Sequence, residues 1–169
     1  TKPFRITDLL DVLIRLEERG RAFYGDLAAK TRSDRARDLF TLLSDEECQH
    51  EALYRDLKKL EDTPAPERTP DKTRHLDTLI RQSFAFEAFK PIVKDSKEAW
   101  EQAVDFAIRL EKNTAAYIRE VRSLFRNTAP EVFERVLSEE EEHVKRLQDY
   151  RDRKDRKSTR LNSSHTNRS

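Results

Sequence analysis

One four-residue string occurs twice in this chain, and each copy is followed at nearly the same distance by a Glu-x-x-His. The first copy is Ile14-Arg15-Leu16-Glu17, followed by Glu47-Cys48-Gln49-His50; the second is Ile108-Arg109-Leu110-Glu111, followed by Glu140-Glu141-Glu142-His143. Glu17 to Glu47 is 30 residues and Glu111 to Glu140 is 29, while the halves are offset by 94 at the first Glu and by 93 at the later positions. Apolar residues recur at spacings of three and four around each copy, so each half reads as a pair of helices. A duplicated helix pair that presents one Glu from each first helix and Glu-x-x-His from each second is the ligand set of a carboxylate-bridged two-metal site in a four-helix bundle.

The first helix is expected from about Thr7, as N-cap, to Lys30, with Leu9, Leu13, Leu16, Gly20, Phe23, Tyr24 and Leu27 on one stripe. A short polar link, Thr31 to Asp34, leads to a second helix from about Arg35 to Glu61, whose stripe is Leu39, Phe40, Leu43, Glu47, His50, Leu53, Tyr54 and Leu57. So short a link makes the two antiparallel neighbours. Residues 62–97 differ: Pro64, Pro66 and Pro70 break the helix, and an amphipathic segment from His75 to about Lys90, ended by Pro91, forms a long crossover. The third helix runs from about Lys97 to Arg126, with Asp95 and Glu98 at capping-box spacing and Trp100, Val104, Ala107, Glu111, Thr114, Ile118 and Phe125 inside. A second such signature, Thr128 to Glu131, opens the fourth, with Phe133, Val136, Leu137, Glu140, His143, Val144, Leu147 and Tyr150. Phe40, Leu43, Glu47 and His50 align with Phe133, Val136, Glu140 and His143, so the repeat includes the apolar positions around the ligands.

Charged residues make up 40% of the 169 and only two are Gly, a composition of long helices with charged outer faces. A net charge of +1 and no basic stripe interleaved with aromatics argue against a nucleic-acid partner. No apolar run approaches the roughly 18 residues that span a bilayer, so no membrane partner is expected. The single cysteine rules out an intrachain disulfide and points to a reducing, cytoplasmic compartment. The chain starts at Thr1 and has no Met, so an N-terminal piece is expected to be missing. The run Asp155 to His165 resembles the translation of a common sequencing adapter; one domain, 1–154, is expected, with 155–169 an artefactual or disordered tail that carries no fold.

Glu and His three apart share a helix face, so both reach one ion on the bundle axis. Four carboxylates and two imidazoles suit two Fe(II) or Mn(II) ions. Without metal, four buried carboxylates would repel one another and suffer desolvation. Among the other residues, Cys48 lies about 100° around the helix from Glu47 and reads as packing or surface. Tyr54 and Tyr150 read as core, with radical traps as the alternative. His75, lacking a Glu partner, reads as crossover surface, and Trp100 as a core anchor. Glu46 and Glu139, each just before a ligand Glu, read as ordinary charged helix positions, with orientation of the His rings as the alternative.

Leu16-Glu17-Glu18-x-Gly20-x-x-Phe23-Tyr24, Glu47-x-x-His50, Glu111 and Glu140-x-x-His143 resemble the rubrerythrin-type branch of the ferritin-like diiron-carboxylate family, over about residues 7–150. The resemblance implies a ferritin-like four-helix bundle of two helix hairpins joined by a long crossover. It implies that Glu17, Glu47 and His50 bind one iron and Glu111, Glu140 and His143 the other, with Glu47 and Glu140 as bridges. It also implies that Tyr24 hydrogen-bonds a ligand carboxylate. Two departures stand out. Rubrerythrins carry a further Glu three residues after the ligand of the third helix, where this chain has Thr114. The set is therefore the symmetric four-Glu, two-His set, closer to bacterioferritin-type ferroxidase centres, which bears against a redox-linked ligand switch. No Cys-x-x-Cys is present, so no rubredoxin module accompanies the bundle within these residues.

The function implied is reaction of Fe(II) pairs with hydrogen peroxide or O2, with peroxide reduction preferred to ferroxidase activity. Two iron ions are the expected cofactors, with manganese as the alternative metal. A separate electron-donor protein is the expected partner, and a homodimer or larger homo-oligomer is compatible. An iron-storage cargo protein that needs assembly, and an inactive structural bundle, are the alternatives.

Overall fold

The periodic segments form helices over nearly their predicted spans. The computed structural model describes residues 5–60, 70–85 and 95–166. Among these residues the order is α1 Ile6–Lys30, α2 Asp34–Leu60, α3 Pro70–Ala85, α4 Lys97–Leu124 and α5 Pro130–Thr166. The chain is all-α. Helices α1 and α2 pack as one hairpin and α4 and α5 as another. The hairpins meet through α1 against α4 and α2 against α5, while α3 lies on α4.

The predicted stripes are the buried faces, and they gather into two apolar clusters. One holds Leu9, Leu10 and Leu13 from the start of α1, Tyr54 and Leu57 from the end of α2, Ile118 and Val121 from α4, and Phe133 and Val136 from the start of α5. The other holds Tyr24 and Leu27, Phe40 and Leu43, Trp100 and Val104, and Leu147 and Tyr150, from the opposite helix ends. The starts of α2 and α4 therefore share one end of the bundle and run parallel, so the connection between them must travel its length. Helix α3 lies on that route and buries Leu76 and Leu79 in the first cluster. Parts of the predicted crossover, including Pro64, Pro66 and the Phe89–Pro91 end, lie outside the described residues.

The ends of the helices correct several expectations. The cap of α1 is Arg5 rather than Thr7, and Asp8 accepts from the Arg5 backbone N–H at 2.9 Å. Helix α4 is capped by Ser96, whose Oγ accepts from Ala99 N at 3.2 Å; Asp95 instead accepts from the Trp100 indole N–H at 2.8 Å. Helix α3 starts at Pro70, five residues before His75, because a proline at the first turn lacks only an N–H the helix would leave unbonded. Helix α5 continues past residue 154 to Thr166, so residues 155–166 of the segment expected to be a tail are helical. Residues 151–166 contain neither Gly nor Pro, and nothing in that stretch interrupts the ladder. After Tyr150 no described side chain is buried.

A second mark of duplication lies on the surface. Lys58 pairs with Asp11 at 2.5 Å, and at the duplicate positions Arg151 pairs with Asp105 at 3.2 Å. These exposed pairs add little stability, and the interior decides the energetics. Phe40 is fully buried, and its ring lies 6.4 Å from that of Tyr24, 6.3 Å from Trp100 and 6.2 Å from Tyr150. Phe40→Ala is expected to destabilise the metal-free protein by about 3–5 kcal/mol in denaturant unfolding; a loss below about 1 kcal/mol would mean that the aromatic box collapses to fill the space.

Candidate metal centre

Each stripe of the bundle is interrupted at the same depth. Passing along α1, the first cluster ends at Leu16 and the second begins at Tyr24, with Glu17 between them. On α2, Glu47 and His50 fall between Leu43 and Tyr54; on α4, Glu111 and Thr114 fall between Ile108 and Ala115; on α5, Glu140 and His143 fall between Leu137 and Leu147. The six residues picked out by the repeat thus form one polar layer between two apolar ones, and none is more than 3% exposed.

Their donor atoms converge as two overlapping groups, Glu17–Glu47–His50–Glu140 and Glu47–Glu111–Glu140–His143, with the atoms of each group within 4.8 Å of one another. Glu47 and Glu140 belong to both. The imidazoles lie nearly parallel, 5.7 Å apart. His50 Nδ1 is 3.0 Å from Glu140 and 3.6 Å from Glu17; His143 Nδ1 is 3.2 Å from Glu47, 3.4 Å from Glu140 and 3.5 Å from Glu111.

The outer nitrogens are held across the hairpins. His50 Nε2, on α2, donates to Glu139 of α5 at 2.7 Å, and His143 Nε2, on α5, donates to Glu46 of α2 at 2.6 Å. A carboxylate at that distance needs an N–H opposite it, which fixes the tautomer of the neutral ring and leaves Nδ1 as the nitrogen that faces inward. Arg135 in turn bonds Glu139 at 3.0 Å. Tyr24 donates to Glu111 from within the bundle. Gly20 lets Glu47 lie against α1, since a Cβ there would sit 3.0 Å from Glu47 Oε2.

The remaining singled-out residues fall outside this layer or beside it. Cys48 is exposed, with Sγ 3.8 Å from Arg21 Nη1. His75 is largely exposed, as expected, but Glu120 does face it at 3.9 Å. Tyr54, Tyr150 and Trp100 are core residues. Sequence reasoning missed the role of Gly20 and the crossed destinations of Glu46 and Glu139. The crossing depends on the register of α2 against α5, which no local pattern carries.

Burial pushes the carboxyls of Glu17, Glu47 and Glu111 well above the usual range, and the neighbouring carboxylates push them further. Burial also pushes Glu140 up, but Glu111, His143 and His50 around it outweigh that and hold it low. His50 is pushed down by burial and, more strongly, up by Glu140, Glu47 and Glu139, reaching about 9. His143 is raised by the same opposition, with Glu111, Glu140 and Glu47 the carboxylates around it. Protons thus take the charge-balancing place that cations would fill. Both oxygens of Glu17 and Glu140, Oε1 of Glu47 and Nδ1 of both His are buried without a hydrogen bond of acceptable geometry. These orphaned atoms all belong to residues of the two overlapping groups, and carboxylates with imidazoles are a donor set for divalent iron, manganese or zinc. The residues fit a pair of divalent cations. A comparison of the chain with protein-family models, curated proteins and solved structures returned no match. Among the described residues no helix is long and apolar enough to cross a membrane.

Two outcomes follow from this geometry. Glu17, Glu47 and Glu111 keep protons that the unfolded chain releases near 4.5, so they cost stability as pH rises above that value. The stability that His50 contributes is complete below 6.5 and is lost as pH rises through about 9. The contribution of Glu140 is present above 4.5 and is lost only in strong acid. The melting temperature of the metal-free protein should therefore fall between about pH 5 and about pH 9, and saturating divalent cation should flatten the slope; a metal-free melting temperature that rises over this range would contradict the assignment. Gly20→Ala should weaken divalent-cation binding about tenfold by displacing Glu47. It should leave the metal-free melting temperature equal or higher, because Ala is the better helix former. Unchanged affinity in a titration would mean that Glu47 has room to spare.

Proposed function

We propose that the chain is a non-haem diiron protein of the rubrerythrin and ferritin-like type, which holds ferrous ions in pairs and reacts them with hydrogen peroxide or O2. The observation that carries this reading is the convergence, at one buried level, of four carboxylates and two inward imidazole nitrogens, with both oxygens of Glu17 and Glu140, one of Glu47 and Nδ1 of each His lacking hydrogen-bond partners. A ferrous pair held there supplies two electrons, one from each ion, which is what reduction of one peroxide to water consumes.

The chain's own residues account for the remainder. Glu47 and Glu140, common to both ligand groups, would be the carboxylates that hold both ions. With cations bound, His50 and His143 would give up their Nδ1 protons and present neutral Nδ1 inward, each Nε2–H donated to a carboxylate. Tyr24 engages one oxygen of Glu111, so the other would be the one to hold an ion. The apolar clusters on either side exclude bulk water. Glu46 and Glu139, 25% and 34% exposed, connect the rings to solvent. Peroxide is preferred to O2 as oxidant on the resemblance, and a separate electron-donor protein would return the electrons.

Anaerobic titration with Fe(II) is expected to give two ions per chain, and subsequent addition of oxidant is expected to consume peroxide faster than O2. Glu47→Ala and His50→Ala should each lower the stoichiometry from two towards one. Unchanged stoichiometry in both variants would overturn the reading.

A further inference from the structure

The two halves of the site are not equivalent. Tyr24 donates to Glu111, but the residue 94 positions later is Ile118, so the second hairpin returns no phenol to Glu17 from the duplicate position. Both oxygens of Glu17 are buried without a hydrogen-bond partner, and the hydroxyl of Tyr54 is buried without one as well. Tyr54 is fully buried. It lies one turn beyond His50 and two beyond Glu47, on the same face of α2, the helix packed against the α1 that carries Glu17. Among the charges that act on its phenol, that of Glu17 comes first, ahead of Glu140 and Glu47. Tyr117, also nearby, donates its own hydroxyl hydrogen to the Leu9 carbonyl at 3.2 Å.

A buried phenol without a partner is costly. A carboxylate that binds a cation through one oxygen offers the other to a donor, and bonds to charged acceptors are the strong ones. The two deficits resolve each other.

We propose that Tyr54 is the positioning residue for the Glu17 half of the centre: with cations in place its phenol hydrogen is donated to Glu17, as that of Tyr24 is to Glu111. The duplicate hairpins thus orient equivalent carboxylates with phenols from different helices, α1 for Glu111 and α2 for Glu17. This inference rests on the diiron reading, and cobalt(II), which does not oxidise under these conditions, separates the two.

Cobalt(II) titration followed by visible absorption is expected to give two bound ions in the parent protein and in Tyr54→Phe, with one of the two weakened about 10-fold to 100-fold in the variant. Adding Tyr54→Phe to Glu17→Ala should weaken the remaining ion no further. Without metal, Tyr54→Phe should melt at or above the parent temperature, because the ring volume is kept and the orphaned hydroxyl is gone. Two unchanged affinities would overturn the role of Tyr54 and leave the diiron reading standing. An equal loss of stability with and without metal would also overturn it, since the hydroxyl would then serve a structural partner such as Tyr117. A parent protein that takes up no cobalt would overturn both.

Discussion

Four carboxyl groups and two imidazoles packed between apolar layers are the constraint on which the rest of this bundle depends. Each is expensive to take out of water alone. Together they need positive charge, supplied by protons on the His rings and on three of the carboxyls, or by cations. The fold makes this tolerable by dividing the core in two. Each apolar cluster is complete in itself, with Phe40 at the centre of one and Phe133 buried in the other, so the polar layer does not have to contribute hydrophobic burial.

The architecture follows from how those layers are supplied. Four helices must each bring their polar residues to one depth, and the duplicated spacing does this for both hairpins. Because α2 and α4 run parallel, the chain must return along the whole bundle between them, and α3 occupies part of that return while closing the outer side of α4 with Leu76 and Leu79. The crossover is therefore also part of the packing around the first cluster.

Much of this was legible in the sequence for physical reasons. A period near 3.6 sorts buried from exposed positions, and the predicted stripes match the buried faces almost residue by residue. The six polar exceptions could be recognised because they recur in both halves at fixed distance from Phe40 and Phe133. Boundaries were less legible. Near Thr7 and Asp95 several polar residues compete for the cap within a few positions, and the winner depends on backbone geometry. The helical continuation of α5 to Thr166 runs against expectation, because the segment's resemblance to an adapter translation argues for a tail and, having no buried face, it gives no periodic signal. Neighbours across helices were illegible in kind: that Glu46 serves His143 rather than His50, that Gly20 makes room for Glu47, and that the Tyr54 hydroxyl is stranded all depend on register between elements distant in sequence.

The crossed carboxylate–imidazole bonds carry a further meaning for how the molecule comes together. Each hairpin contains the brace for the other's ring and lacks the brace for its own. Neither half can pre-form a finished pocket during synthesis, and a lone hairpin emerging first has an imidazole free to swing. Docking of the halves and completion of the pocket are consequently one event, so a chain that misassembles leaves both rings unbraced.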